Sequence, residues 1–147
     1  MKTRIIPVIH YENDDQAKRN ATLAFSAGCD GVFLIHMEGK NHLLPSVARE
    51  IKAQYPNKLV GVNYLGVETA EAVNANINLG LDMTWTDDQL THSLDHPWDE
   101  AKRVCDTKAQ DYNHLLFVGV AFKHQRHEPD PVLAARKAIE FGFIPTT

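Results

Sequence analysis

The chain has 147 residues, 44% hydrophobic and 23% charged, with a net charge of −4 and a sequence pI near 6.0. That suits one domain with a real core, and the scattered basic residues lack the footprint of a nucleic-acid binder. No apolar run approaches the roughly 18 residues of a membrane span and the opening Met1–His10 is too short for a secretory leader, so a cytoplasmic protein is expected, with neither membrane nor nucleic acid as partner.

Ile5–Ile9 reads as an apolar strand ending in His10, and Asn13-Asp-Asp supplies an N-cap and first-turn acids for a helix from Gln16 to Ala27. Gly28 closes it. Cys29–His36 is the second strand, and alternation puts Val32, Leu34, His36 and Glu38 on one face, so that His36 and Glu38 reach over the strand end. A helix from Leu43 to Tyr55 must stop at Pro56. Lys58–Leu65 is the third strand, where Gly61 shares its face with Asn63, and Thr69–Leu79 is the third helix. The short fourth strand, Leu81–Thr86, has Trp85, Thr86, Asp87 and Asp88 at its rim. A polar loop, Gln89–His96, precedes a helix opened by Pro97-Trp-Asp-Glu and running through Val104 to Ala109. His92, His96, His114 and His127 are expected to be solvated. Cys29 and Cys105 lack any paired spacing and read as reduced thiols.

The fifth unit is the fullest. From His114 an apolar run places Val118, Val120 and Phe122 on one side of the pleat and Gly119, Ala121 and Lys123 on the other. Asp130 offers an N-cap, Pro131 sits at the first helical position and Gly142 ends the helix. Lys123, His124, Gln125, Arg126 and His127 are left at the strand's C-terminal end, where parallel α/β folds gather functional groups. Phe143–Thr147 opens a sixth strand.

Six strands alternating with five helices call for a parallel sheet with right-handed crossovers. No Gly-x-Gly-x-x-Gly or Walker loop follows the first strand, which favours a (β/α) TIM-type barrel over an open doubly wound sheet. A closed barrel takes about 200 residues or more. The single domain is therefore expected to lack its last two strand–helix units, leaving open edges on the first and sixth strands. Chain continuing past Thr147, or a second copy in a homo-oligomer, would cover them.

His10, His36, Glu38, Asn63, Asp87, Lys123 and His124 lie at the C-terminal ends of five strands and would converge on one mouth of a barrel. For any one of them a loop-tethering hydrogen bond is the plainer role; the set makes the candidate site. Lys123 forms a Schiff base with a carbonyl substrate if burial activates it, or holds a phosphate as a point charge, against the plain alternative of a solvated lysine. Lys123 and Asp87 are the expected catalytic groups. His10, His36, Glu38, Asn63, Trp85, His124 and Arg126 are expected to bind substrate, Trp85 by stacking and Arg126 by holding an anion. No metal-ligand spacing or cofactor motif occurs, so neither a metal nor a cofactor is expected.

Gly28-Cys-Asp-Gly-Val-Phe-Leu-Ile-His-Met-Glu-Gly39, Leu59-Val-Gly-Val-Asn-Tyr-Leu-Gly66 and Val118-Gly-Val-Ala-Phe-Lys123 resemble the BtpA family. The resemblance implies a TIM barrel of the ribulose-phosphate-binding kind. Where that family continues with a Thr-x-Ser/Gly-rich turn after the sixth strand, this chain stops at Thr146-Thr147. Two readings follow. The first is an enzyme, a lyase, aldolase or transferase, acting on a small phosphorylated or sugar-derived metabolite at the strand ends. The second, implied by the family's naming for photosystem I biogenesis, is a non-catalytic assembly or regulatory factor.

Overall fold

The computed structural model describes residues 3–147; Met1 and Lys2, part of the opening run read for a leader, lie outside it. The elements follow in strict alternation: β1 (Val8–His10), α1 (Asp14–Ser26), β2 (Gly31–Ile35), α2 (Leu44–Gln54), β3 (Leu59–Asn63), α3 (Thr69–Asn78), β4 (Met83–Thr86), α4 (Asp99–Lys108), β5 (Leu115–Gly119), α5 (Pro131–Glu140) and β6 (Ile144–Thr146). A short 3-10 turn, Asn41–Leu43, leads into α2. Two helix starts are set by side chains: Asn13 accepts from the Gln16 N–H and Asp130 from the Leu133 N–H, each at 2.9 Å.

Two strands are shorter than the apolar runs suggest. Pro7 has no N–H to give to a ladder, and β1 begins after it. Ala121 adopts a left-handed backbone (φ 56°), so the extended geometry of β5 does not carry through to Lys123. The alternation that would put Lys123 on the face of Gly119 therefore breaks at Ala121, and Lys123 is a loop residue.

All neighbouring strands are parallel, in the order β1-β2-β3-β4-β5-β6. A sheet wound in one direction keeps its helices on one face, which is the barrel pattern; a doubly wound sheet reverses its strand order. The register confirms the single helical face. Val32 aligns with Val60, Leu34 with Val62, Val62 with Thr84, Thr84 with Leu116 and Thr86 with Val118. On this face Val32, Leu34, Val60 and Val62 pack with residues of α1 and α2, and Leu116 and Val118 with residues of α3, α4 and α5.

The other face is the inner one, and its first layer is aromatic. Phe33 meets Phe117 at 5.2 Å between ring centroids and Trp85 at 6.0 Å, both edge to face. Phe33 lies across β3 because Gly61 has no side chain: a Cβ there would stand 2.5 Å from Phe33 Cε1 and 2.7 Å from Met83 Cβ. Among the described residues β1 and β6 each pair on one side only, and Val8 on the inner face of β1 is 40% exposed.

His114, expected in solvent, is buried on the helical side. Its Nδ1 donates to the Leu81 carbonyl at 3.1 Å, its Nε2 accepts from the Thr84 hydroxyl at 2.8 Å, and Thr84 in turn accepts from Asn76 Nδ2 at 2.9 Å. This chain of donors needs a neutral imidazole, and burial lowers the His114 pKa. A histidine lowered on folding stabilises the fold above its unfolded value near 6.5 and loses that contribution as pH falls below it. We predict that denaturant midpoints drop as pH goes from about 7 to 5, and that His114→Gln, although less stable at pH 7, flattens that dependence; an unchanged slope in the variant would contradict the assignment.

Candidate functional site

The C-terminal ends of β3, β4 and β5 and the loops that follow them form the candidate site. Asn63 is the last residue of β3, on the inner face two places after Gly61. It is 1% exposed, and its Nδ2 donates to Asp87 Oδ1 at 3.1 Å. Asp87 follows β4 directly. Its backbone carbonyl accepts from the Gln125 side-chain amide, and Gln125 Oε1 accepts from the Phe122 N–H at 2.7 Å. Gln125 thus folds the segment carrying Lys123 and His124 over Asp87. Gly119 makes room for it, because a Cβ there would lie 2.5 Å from Gln125 Nε2 and 2.9 Å from the Asp87 carbonyl. Asp87, Asp88, Phe122, Lys123, His124 and Gln125 line a cavity of about 480 Å³.

The set of rim residues divides in two. Asn63, Asp87, Lys123 and His124 come together. Trp85 lies beneath them in the aromatic layer, its indole Nε1 buried without a partner. His10 is exposed on the inner side of β1, level with Ile35 and Asn63. His36 is not part of the set. It continues the face of Val32 and Leu34, which is the helical face, and its ring lies 5.9 Å from that of Tyr11 while its Nδ1 accepts from the Glu38 N–H. Glu38 sits in a turn, exposed and ion-paired with Lys40 at 2.6 Å, which lowers its pKa. Arg126 is engaged with Asp95 at 2.6 Å.

A second set of residues, without a local sequence signal, holds the two site loops together. Glu128 is 6% exposed and accepts from Gln89 Nε2 at 2.5 Å, from the Ser93 N–H at 2.9 Å, from the Ser93 hydroxyl and from the Asp130 N–H at 2.8 Å. Burial pushes its pKa up, but the bonds from Ser93 and Asp130 outweigh that and leave it lowered. His92, expected in solvent, is buried beside it: its Nε2 lies 3.0 Å from the His127 carbonyl, and its own carbonyl accepts from Trp98 Nε1 at 2.8 Å. These partners are 35 or more residues from Gln89, His92 and Ser93 in sequence.

The geometry offers a carboxylate oriented by a buried amide, a lysine and a histidine on the facing loop, and an aromatic layer below. That combination can place an acid–base group against one end of a small ligand and a cation against the other. Lys123 is exposed, and burial is what would make it an amine nucleophile, so its surroundings suit a point charge better than a Schiff base. Among the described residues no three His, Cys, Asp or Glu side chains gather as a metal site.

No family model matches the sequence, and no curated protein does. Solved structures match it in fold. KGPDC from Streptococcus mutans aligns with 97% of this chain and 63% of its own at 12% identity and a TM-score of 0.61. The fold is that of a TIM barrel, incomplete at six strands. KGPDC in complex with D-ribulose 5-phosphate aligns at 10% identity and a TM-score of 0.60, over 96% of this chain and 60% of its own. The 7,8-dihydropteroate synthase from Vibrio fischeri ES114 aligns at 9% identity and a TM-score of 0.61, over 97% and 58%. The chain thus spans about 60% of the length of these solved chains.

Because Glu128 closes four hydrogen bonds between the loops, Glu128→Gln, which must turn an N–H₂ toward donors, should release them. We expect amide exchange at Ser93 and Asp130 to speed up about tenfold or more, the worth of one charge-assisted bond, with α1 and α2 unaffected. Equal exchange in the variant would mean that the loops are held by other contacts.

Proposed function

We propose that this protein holds a small phosphorylated or sugar-derived metabolite at the strand ends and acts on it. Asp87 is the acid–base group, Asn63 orients it, Lys123 and His124 face the phosphate, and the Phe33–Trp85–Phe117 layer lies below the carbon skeleton. The observation that carries this reading is the buried Asn63 amide committed to Asp87: it leaves one carboxylate oxygen free of that bond in a cavity whose facing wall carries two basic side chains. The KGPDC complex with D-ribulose 5-phosphate supports a phosphorylated ligand on this fold. A lyase, aldolase or transferase reaction needs such an acid–base group beside a held anion.

A non-catalytic assembly or regulatory role, as in the BtpA resemblance, is the second reading; the exposure of Lys123, His124 and Arg126 on one surface loop favours it. No helix among the described residues is long and apolar enough to cross a membrane. The first reading takes the protein as cytoplasmic, a binder of small molecules rather than nucleic acid. It also has the edges of β1 and β6 covered, by further strand–helix units or by a second copy.

Thermal-shift titration with D-ribulose 5-phosphate, other sugar phosphates and inorganic phosphate decides between the two. We expect a concentration-dependent rise in Tm with a sugar phosphate, and Lys123→Met to weaken that ligand about tenfold, about 1.4 kcal/mol. No shift with any of them would overturn the first reading and leave the second.

A further inference from the structure

On the helical side of the sheet, away from the strand ends, the structure leaves a cavity of about 430 Å³ between the start of α2 and α3. α1 packs on α2 and α3 on α4, but α2 and α3 stand apart. Ala72 and Ala75 of α3 line the gap, and side chains of that length do not bridge it. Pro45 at the head of α2 and Leu79 just past α3 complete the apolar walls. Tyr64 follows Val60 and Val62 on the helical face, so its side chain enters this space rather than the inner one.

Two polar atoms in the lining have no partner: the Tyr64 hydroxyl, on a residue only 8% exposed, and Asn41 Oδ1. Asn41 spends its Nδ2 on the Leu65 carbonyl at 2.8 Å, which fixes the amide so that the oxygen is the atom left over. Burial pushes the Tyr64 pKa up to about 12, so the group remains a neutral hydroxyl, able to donate and to accept. Buried polar atoms in native proteins almost always have partners, and two orphans in the lining of one apolar cavity mark a place where a partner arrives from outside. The charged group of the lining, Glu71, is exposed, which leaves nothing inside to hold an ion.

We infer that this interhelical cavity is a second small-molecule site, which takes an uncharged, largely apolar ring compound carrying one hydroxyl: the ring fills the space along Ala72 and Ala75, and the hydroxyl donates to Asn41 Oδ1 or accepts from the Tyr64 hydroxyl. It does not depend on the strand-end reading, since none of its residues takes part in that site.

Phenol and toluene, alike in size and differing in the hydroxyl, test this by protein NMR. Phenol should shift the amide resonances of residues 64–67 and of α3 saturably, and toluene should bind at least tenfold more weakly. Tyr64→Phe, which removes an unpartnered hydroxyl and should fold at least as well, should bring phenol down toward toluene. Ala75→Leu should block both. Equal binding of the two probes, phenol binding undiminished in Tyr64→Phe, or no binding of either by the wild-type protein would overturn the inference. So would resonances that move only around Asp87 and Lys123.

Discussion

The ring of Phe33 crosses the inner face of the sheet where β3 carries no side chain, at Gly61, and the candidate site is built on that contact. With the ring seated there, Trp85 and Phe117 close edge to face around it and the inner face is filled by a dry layer. Asn63, two residues along the same face, then meets polar groups rather than apolar ones and must find a partner as it is buried. Asp87 supplies it. A side chain at Gly61 would displace Phe33, and with it the surface beneath Asn63 and Asp87.

The second requirement is that two loops keep station above this layer. Gly119 repeats the device of Gly61 two strands over: its missing side chain admits the Gln125 amide to the Asp87 carbonyl. Glu128 then locks the loop after β5 to the loop after β4 through four donors. A carboxylate so fully bonded is a fixed point of structure rather than a reagent. The exposed Lys123 and His124, carried between Gln125 and the end of β5, are the groups left able to meet a ligand.

Much of this order is legible in the sequence because it is local. Asn13 and Asp130 cap helices, Pro56 stops one, and the alternation of Gly61 with Asn63 holds in the folded strand. The errors are mostly non-local. Val32-Leu34 and Phe33-Ile35 are both apolar, and a strand apolar on both faces does not say which face looks inward; the register with Val60 and Val62 decides it and sends His36 to the helices. The misplacement of Lys123 comes from one residue, Ala121, whose left-handed backbone no pattern marks. His92 and His114 look like ordinary surface histidines because their partners, Glu128, the His127 carbonyl and Thr84, lie about 30 residues or more away.

Trp85 provides the most direct reading of the central claim. Its indole Nε1–H is buried without a partner in the layer beneath Asn63 and Asp87, whereas the other tryptophan, Trp98, is bonded to the His92 carbonyl outside that layer. In ¹H–¹⁵N spectra the two indole signals can be followed as D-ribulose 5-phosphate is added. The account predicts that the Trp85 signal moves saturably while that of Trp98 stays in place. A Trp85 signal that does not move while the sugar phosphate binds elsewhere on the protein would contradict it.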